Sequence, residues 1–323
     1  MINRRNFLQA AIASGVGLTL LSIPETIGPQ KRILGPGSKL VEDHCHLYYK
    51  GFSLEQVVDA MDRNDIDIIA LERLNGRIYN KLQQQTKKIR KYRVDSDRIA
   101  IRIEKDGRDF FILRATEVQS CDYFHLLIIG SDRGLFRKDS REIIDRALKD
   151  NALVKISHSY ANVKNFGREI TKEKEKELIQ ICREYKDRIA LEWNGYCIGW
   201  LRQLLLDGDI NDKAYKLSLK LQNAGYNVPL VAGTDIHARS VEALDAIGRA
   251  GIEAHVDTSS GQQIINSLKE QIFAGKHRNT YKTVSLWHFA ANFGVPYAYN
   301  MYVRPLLEDS QKRKEFRGKG TEV

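Results

Sequence analysis

The stretch Val41-Glu42-Asp43-His44-Cys45-His46-Leu47 places two imidazoles one residue apart at the end of an apolar run. Residues i and i+2 of a strand share a face, so His44 and His46 can reach one cation while Cys45 turns to the other face and packs. A later stretch, Ala232-Gly233-Thr234-Asp235-Ile236-His237, repeats the spacing with a carboxylate in the first place. Two such pairs, far apart in the chain, call for a fold that gathers the ends of distant strands.

The intervening sequence supplies one. Short β-like runs cover Leu40 to His46, Ile66 to Leu71, Arg98 to Glu104, Phe110 to Val118, Phe124 to Gly130, Ala152 to His158, Arg188 to Trp193 and Val228 to His237. Amphipathic helical stretches separate several of them: Ser53 to Asn64, with Ser53 and Gln56 spaced as a capping box, Thr171 to Tyr185, and Asp212 to Ala224. The alternation predicts repeated βα units around a parallel sheet, an α/β barrel whose carboxyl strand ends form one face. Asp106-Gly107 between two alternating runs predicts a local antiparallel hairpin. Arg77 to Arg93 reads as a polar helix ending in the basic run Lys87, Lys88, Arg90, Lys91 and Arg93. A solvated face is the ordinary reading of such a run, and phosphate steering is the alternative.

Three more ligand-type residues fall at strand ends: Glu117, His125 and His158. Each alone would pass as an ordinary polar residue. Together with the two spaced pairs they form a set of imidazoles and carboxylates of the kind that zinc, manganese or iron accept. Glu192 closes an apolar run and reads as a support for such ligands or as a core-edge carboxylate. Arg73 and Arg239 flank the set and could grip a phosphate. His255, His277 and His288 read as structural.

Bulk properties narrow the partners. The 323 residues carry 51 Lys and Arg against 41 Asp and Glu, a net charge of +10, and the pI is about 9.3. Such a balance favours anionic partners, a small phosphorylated substrate, nucleic acid or an anionic membrane surface, without choosing between them; nucleic acid is the less favoured, because no aromatic platform or nucleic-acid motif accompanies the basic run. Arg4-Arg5 followed by an uncharged stretch to Pro24 reads as a twin-arginine export signal addressed to the Tat machinery, predicting a periplasmic or extracellular protein. An uncleaved N-terminal membrane anchor is the alternative, and no later segment is long enough to span a bilayer. The expected organisation is a leader and linker over 1–37, a metallohydrolase barrel over 38–300, and a polar tail over 301–323. Cys45, Cys121, Cys182 and Cys197 show neither zinc-knuckle nor disulfide-scaffold spacing.

The ordered set Glu42-Asp43-His44-Cys45-His46, Ser53-Leu54-Glu55-Gln56-Val57, Asp67-Ile68-Ile69-Ala70-Leu71, Thr116-Glu117-Val118, His125-Leu126-Leu127, Ile156-Ser157-His158 and Ala232 to His237 resembles the PHP domain, named for polymerase and histidinol phosphatase. The resemblance covers roughly residues 38 to 290. It implies a distorted (β/α)7 barrel and hydrolysis of phosphate esters by a metal-activated water. It also implies one metal on His44, His46, Glu117 and Asp235 and another on Glu117, His125 and His158, with His237 as a nearby metal ligand or substrate contact and Asp235, His237 and Glu117 serving catalysis. The chain departs from the family pattern at Gly51, where an acidic residue is usual, and at Glu72-Arg73-Leu74, where Thr-Asp-His is usual. Both belong to a third metal site, so the resemblance implies two metals, unless Glu72 substitutes. His158-Ser159 stands where proline commonly follows the histidine. A metal-dependent amidohydrolase or deaminase, which also begins with His-x-His, and a degenerate barrel that binds metal or ligand without turnover are the competing readings.

Overall fold

Nine of the ten residues of β1 (Ser38–Leu47) are buried, because this strand is bordered on both sides. The computed structural model describes residues 33–47, 51–72, 77–89, 91–131, 138–161, 170–195, 210–238 and 240–281, all within the compact unit Glu25–Val284. β1 pairs in parallel with β2 (Ile68–Glu72), and β2 in parallel with the fifth strand, β5 (Arg108–Gln119). The sheet continues through β6 (His125–Ile129), β7 (Leu153–Ile156), β8 (Ile189–Asn194) and β9 (Leu230–Gly233). It returns to β1 through β10 (Ile236–Ala238), which pairs with residues 45 to 47 of β1. Asp235 N donates to the His44 carbonyl at 2.8 Å. The product is a mixed α/β fold with a nearly closed, barrel-shaped sheet, consistent with a distorted barrel of the PHP type.

The distortions have identifiable causes. The hairpin expected at Asp106-Gly107 forms between β4 (Ala100–Lys105) and β5, and β3 (Arg93–Ser96) pairs outside it. The expected helix Arg77 to Arg93 therefore stops early: α2 (Arg77–Thr86) is short, and Arg93 opens a strand. β6 runs antiparallel to both neighbours, so its amino end lies at the rim where the other strands have their carboxyl ends. The run Val228 to His237 is two strands rather than one, broken at Thr234-Asp235, where Asp235 has φ of 55°. Two further strands, β11 (Ala250–His255) and β12 (Arg278–Tyr281), extend the sheet antiparallel beyond β1, so His255 lies on a strand. Asn279 of β12 reaches across to β9, accepting from Ala232 N and donating to the Leu230 carbonyl, each at 2.8 Å. A single side-chain amide thereby does the work of a strand pair at the seam.

Local signals act as their chemistry dictates. In α1 (Leu54–Arg63) the Ser53 hydroxyl accepts from Gln56 N and the Gln56 side chain accepts from Ser53 N, the reciprocal capping box. Asp139 caps α3 (Ser140–Lys149) and Thr171 caps α4 (Lys172–Glu184) by the one-way bond alone, each side-chain oxygen accepting from the backbone N–H three residues on. The buried faces of α3, α4 and α5 (Ile210–Asn223) cover β6 to β9 in one apolar cluster. The last helix, α6 (Gly261–Phe273), places Ile264, Ile265, Leu268 and Ile272 against the interior of the barrel and forms its floor.

Inside the barrel every strand changes character over a two-residue step. Val41, Ala70, Ala115, Leu127, Leu153, Ala190 and Val231 belong to one apolar cluster. On the same faces, one layer towards the rim, stand Asp43, Glu72, Glu117, His125, Lys155, Glu192 and Gly233. A β-bulge in β1 between Glu42 and Cys45 shifts the register, so Asp43 and then His44 and His46 all serve the interior. At the opposite end of β1, Glu253 accepts from Ile33 N and Leu34 N and from the Ser38 hydroxyl, fastening the incoming chain to the floor. Among the described residues no helix is long and apolar enough to cross a membrane.

Candidate metal centre

The ionisable layer and the histidines above it converge at the rim. His44 and His46 set their Nε2 atoms 3.0 Å apart, and Asp235 Oδ1 lies 3.0 Å from His46 Nε2 and 3.5 Å from His44 Nε2. The ligand atoms of this group lie within 4.8 Å of one another, as do those of a second group, Glu117, His125 and His158. Glu117 stands between the two. Its Oε1 lies 3.3 Å from both His125 Nδ1 and His158 Nε2, and its Oε2 lies 3.6 Å from His46 Nε2. The reversed direction of β6 explains His125: a residue that begins a strand reaches this rim only when that strand runs backwards.

Carboxylates behind the ligands fix the rings. His44 Nδ1 donates to Glu192 Oε1 at 2.6 Å, and His46 Nδ1 donates to Glu72 Oε2 at 2.5 Å, which directs both Nε2 atoms to the centre. Glu72 Oε1 also accepts from Glu117 N at 2.9 Å. The sequence leaves Glu72 open as a third-site ligand, but both of its oxygens are engaged in orienting His46 and Glu117. His237 stacks on His46 with ring centroids 4.6 Å apart and donates from Nδ1 to the Asp235 carbonyl. Its Nδ1 is thereby protonated and the lone pair lies on Nε2.

The electrostatics of the layer are mutually compensated. Burial alone would depress the His44 imidazole, but Glu192 and then Asp235 raise it to about 9. Burial would likewise raise Glu192, which His44 and Lys155 instead hold at about 2. Asp235 and Glu117, although buried, are held well below the ordinary carboxylate range by the histidines around them, His44 foremost for Asp235 and His125 for Glu117. His237, by contrast, is pushed down to about 4 by burial.

Whether this set suits a cation is tested by its unsatisfied atoms. Glu117 Oε1, Asp235 Oδ1 and both ring nitrogens of His125 are buried without a hydrogen bond. Buried polar atoms are almost always paired, and these four belong to residues of the two ligand groups. Imidazoles with carboxylates, oriented from behind, are the donor set of divalent metal sites. The residues present fit divalent metals.

Of the residues singled out in the sequence, His44, His46, Glu117, His125, His158, Asp235 and His237 come together, with Glu72 and Glu192 behind them. Arg73, Leu74 and Arg239 lie outside the described residues, as do His288 and Cys197. Cys45 is fully buried and unbridged, as its position opposite the ligands requires, and Cys121 and Cys182 are also free thiols. Three residues escape the sequence reading: Asp43, Lys155 and Asn194, whose amide donates to Asp235 Oδ2 at 2.7 Å and to Glu192 Oε2 at 3.0 Å. The signal that would have found the first two is the apolar-to-ionisable step repeated on Val41/Asp43 and Leu153/Lys155.

No family model and no curated protein matches the chain. Solved structures do. PsfC from Pseudomonas syringae PB-5123 aligns with a TM-score of 0.52 at 13% identity, covering 84% of this chain and 99% of that one. A two-domain protein from Bacteroides vulgatus ATCC 8482, containing a predicted PHP-like metal-dependent phosphoesterase, aligns at 0.48 and 13%, covering 76% of this chain and 65% of that one. The lesion-specific endonuclease PfuEndoQ from Pyrococcus furiosus aligns at 0.47 and 13%, covering 75% and 57%. This chain thus spans less than two thirds of the last two proteins, and at 13% identity what it shares with PsfC is the fold.

Proposed function

We propose that the protein is a metal-dependent hydrolase of phosphate esters working at a two-metal centre. The observation that carries this reading is Glu117, a carboxylate set between two groups of imidazoles with one buried oxygen left unsatisfied. His44, His46 and Asp235 would hold one divalent cation, His125 and His158 the other, and Glu117 would bridge.

Divalent cations bound there lower the pKa of water and offset the charge of a phosphoryl group. The protein's own residues orient and exclude. Glu72 and Glu192 hold His46 and His44 in one tautomer, Asn194 holds Asp235, and the apolar layer beneath denies water a path from the floor. His237, neutral at physiological pH, presents a lone pair for a ligand or a proton beside the centre. The net charge of +10 favours an anionic substrate.

One observation weighs against the amidohydrolase reading. That class often uses a lysine as a metal bridge, whereas the buried lysine here has its ammonium held by Asp43 and Glu192, neither of which belongs to the two ligand groups. The deciding measurement is phosphate release over a panel of phosphorylated metabolites, with Mn, Zn and Fe supplied in turn. Metal uptake without release from any of them would favour the degenerate barrel. We further propose export through the twin-arginine stretch; Arg4-Arg5→Lys-Lys should retain the protein in the cytoplasm, and unchanged fractionation would refute that assignment.

A further inference from the structure

Lys155 stands in the middle of β7, in the sequence Leu153-Val154-Lys155-Ile156, and is fully buried. A lysine there is costly unless its charge is matched. Its Nζ lies 2.6 Å from Asp43 Oδ1 and 3.0 Å from Glu192 Oε1. The facing strand is bare at this level. A Cβ built at Gly233 would come within 2.7 Å of Asp43 Oδ1, 2.9 Å of Lys155 Nζ and 3.0 Å of Glu192 Oε1. The barrel therefore reserves space for this ionic triad, directly beneath the candidate metal centre.

The carboxylate that Lys155 shares with Asp43 is the one that reaches furthest into the site. Glu192 Oε1 receives His44 Nδ1–H. Glu192 Oε2 receives His158 N at 2.9 Å and the Asn194 amide, which in turn holds Asp235. One carboxylate thus touches both groups of ligands, and its orientation depends on what lies below it. Without the ammonium, Asp43 and Glu192 would face each other as two buried like charges, and the Glu192 carboxylate, still bonded to His44, His158 N and Asn194, would lose the one cation that draws it towards Asp43.

We propose that Lys155 is a positioning residue of the metal centre, an internal ammonium that holds Glu192 in the orientation that presents His44 Nε2 and the His158 segment to the metals. The proposal rests on the metal-centre reading above but not on the substrate. Loss of such an outer support typically weakens metal affinity ~10–100-fold. A lysine that merely neutralised Asp43 would stabilise the fold without that effect, and the two roles separate experimentally.

The test uses the full-length protein with Zn2+ or Mn2+ alone, titrated calorimetrically, alongside the thermal midpoint of the metal-free protein. Lys155→Met should bind metal ~10–100-fold more weakly than wild type and melt lower. Adding Asp43→Asn removes the buried partner charge left uncompensated, so the double variant should recover the midpoint while its metal affinity stays weak. It also serves where the single variant fails to fold. Recovery of both quantities would reduce Lys155 to a counter-ion for Asp43 and overturn the proposal, as would wild-type affinity in Lys155→Met. A second cycle bears on the route: Glu192→Gln should weaken binding to a similar extent, and its combination with Lys155→Met should add little. Additive losses would show that Lys155 does not act through Glu192. Metal uptake by the wild type without phosphate release would remove the hydrolase reading and leave this one standing, whereas a wild type that takes up no metal would overturn both.

Discussion

The two sides of the rim are built differently although they carry similar ligands. His44 and His46 are almost entirely enclosed, with side-chain exposures of 0% and 5%, and each has a carboxylate on its Nδ1. His125 and His158 are more open, at 19% and 16%, and neither ring nitrogen of His125 has a hydrogen bond. One side is oriented before any ligand arrives by carboxylates hydrogen-bonded to its rings; on the other, His125 has beside it the edge of the His158 ring and Glu117 Oε1, 3.3 Å from its Nδ1. Ligand identity therefore does not decide how strongly a half-site holds a cation, and the atoms behind the ligands do. Divalent metal should load in two steps, the enclosed side first.

The comparison breaks most visibly with ligand deletions. Asp235→Ala should lose most bound metal and bring hydrolysis to background, because it empties the enclosed side and disturbs the shared Glu117. His125→Ala should keep about one equivalent of metal, since only the open side loses a donor. Elemental analysis after dialysis distinguishes them, and equal retention in both variants would erase the asymmetry. Next in size come the supports: Glu72→Gln and Glu192→Gln should each weaken metal affinity by roughly 10–100-fold without changing the number of sites. Calorimetry that found wild-type affinity for both would show that the enclosed side owes nothing to them.

A smaller effect concerns pH in the metal-free protein. His44, raised to about 9 against the usual 6.5, contributes stability that is fully present below about 6.5 and is lost as pH rises through 9. His237, lowered to about 4, works in the opposite sense, contributing stability above 6.5 that is lost as pH falls towards 4. Denaturant midpoints should therefore weaken on both sides of neutrality, with the alkaline arm reduced in His44→Gln, where His158, also raised by Glu117, still contributes, and the acid arm reduced in His237→Gln. An unchanged alkaline arm in His44→Gln would contradict the charge environment assigned to that ring. The smallest expected change is at Cys45, buried between two ligands yet facing away from them: Cys45→Ala should cost ~1 kcal/mol of stability and leave metal content intact. Lost metal in that variant would place the thiol in the site.

Much of this arrangement is written locally. His-x-His, Asp-x-His, Ser53 with Gln56 and Asp106-Gly107 each announce themselves within a few residues, and each does in the structure what its spacing implies. What escapes is non-local. The five-residue run of β6 has no sequence mark of direction, so its reversal follows only from pairing with β5 and β7. Lys87 to Arg93 continues the polarity of a helix, and only pairing with β4 draws Arg93 into a strand. Lys155 reads like the outward residue of an alternating strand until Asp43, 112 positions away, and Glu192 close around it. β11 and β12 carry no ligand and little alternation, and their place is set by β1 and by the Asn279 bridge.

The Glu253 clamp on Ile33 and Leu34 has a consequence for orientation in space. It holds the chain where β1 begins, while His46 sits eight residues further along, on the order of 25 Å at the rise of an extended strand. The clamp and the ligands therefore stand at opposite ends of one strand, so Glu253→Gln should loosen the floor and leave the ligands at the rim in place.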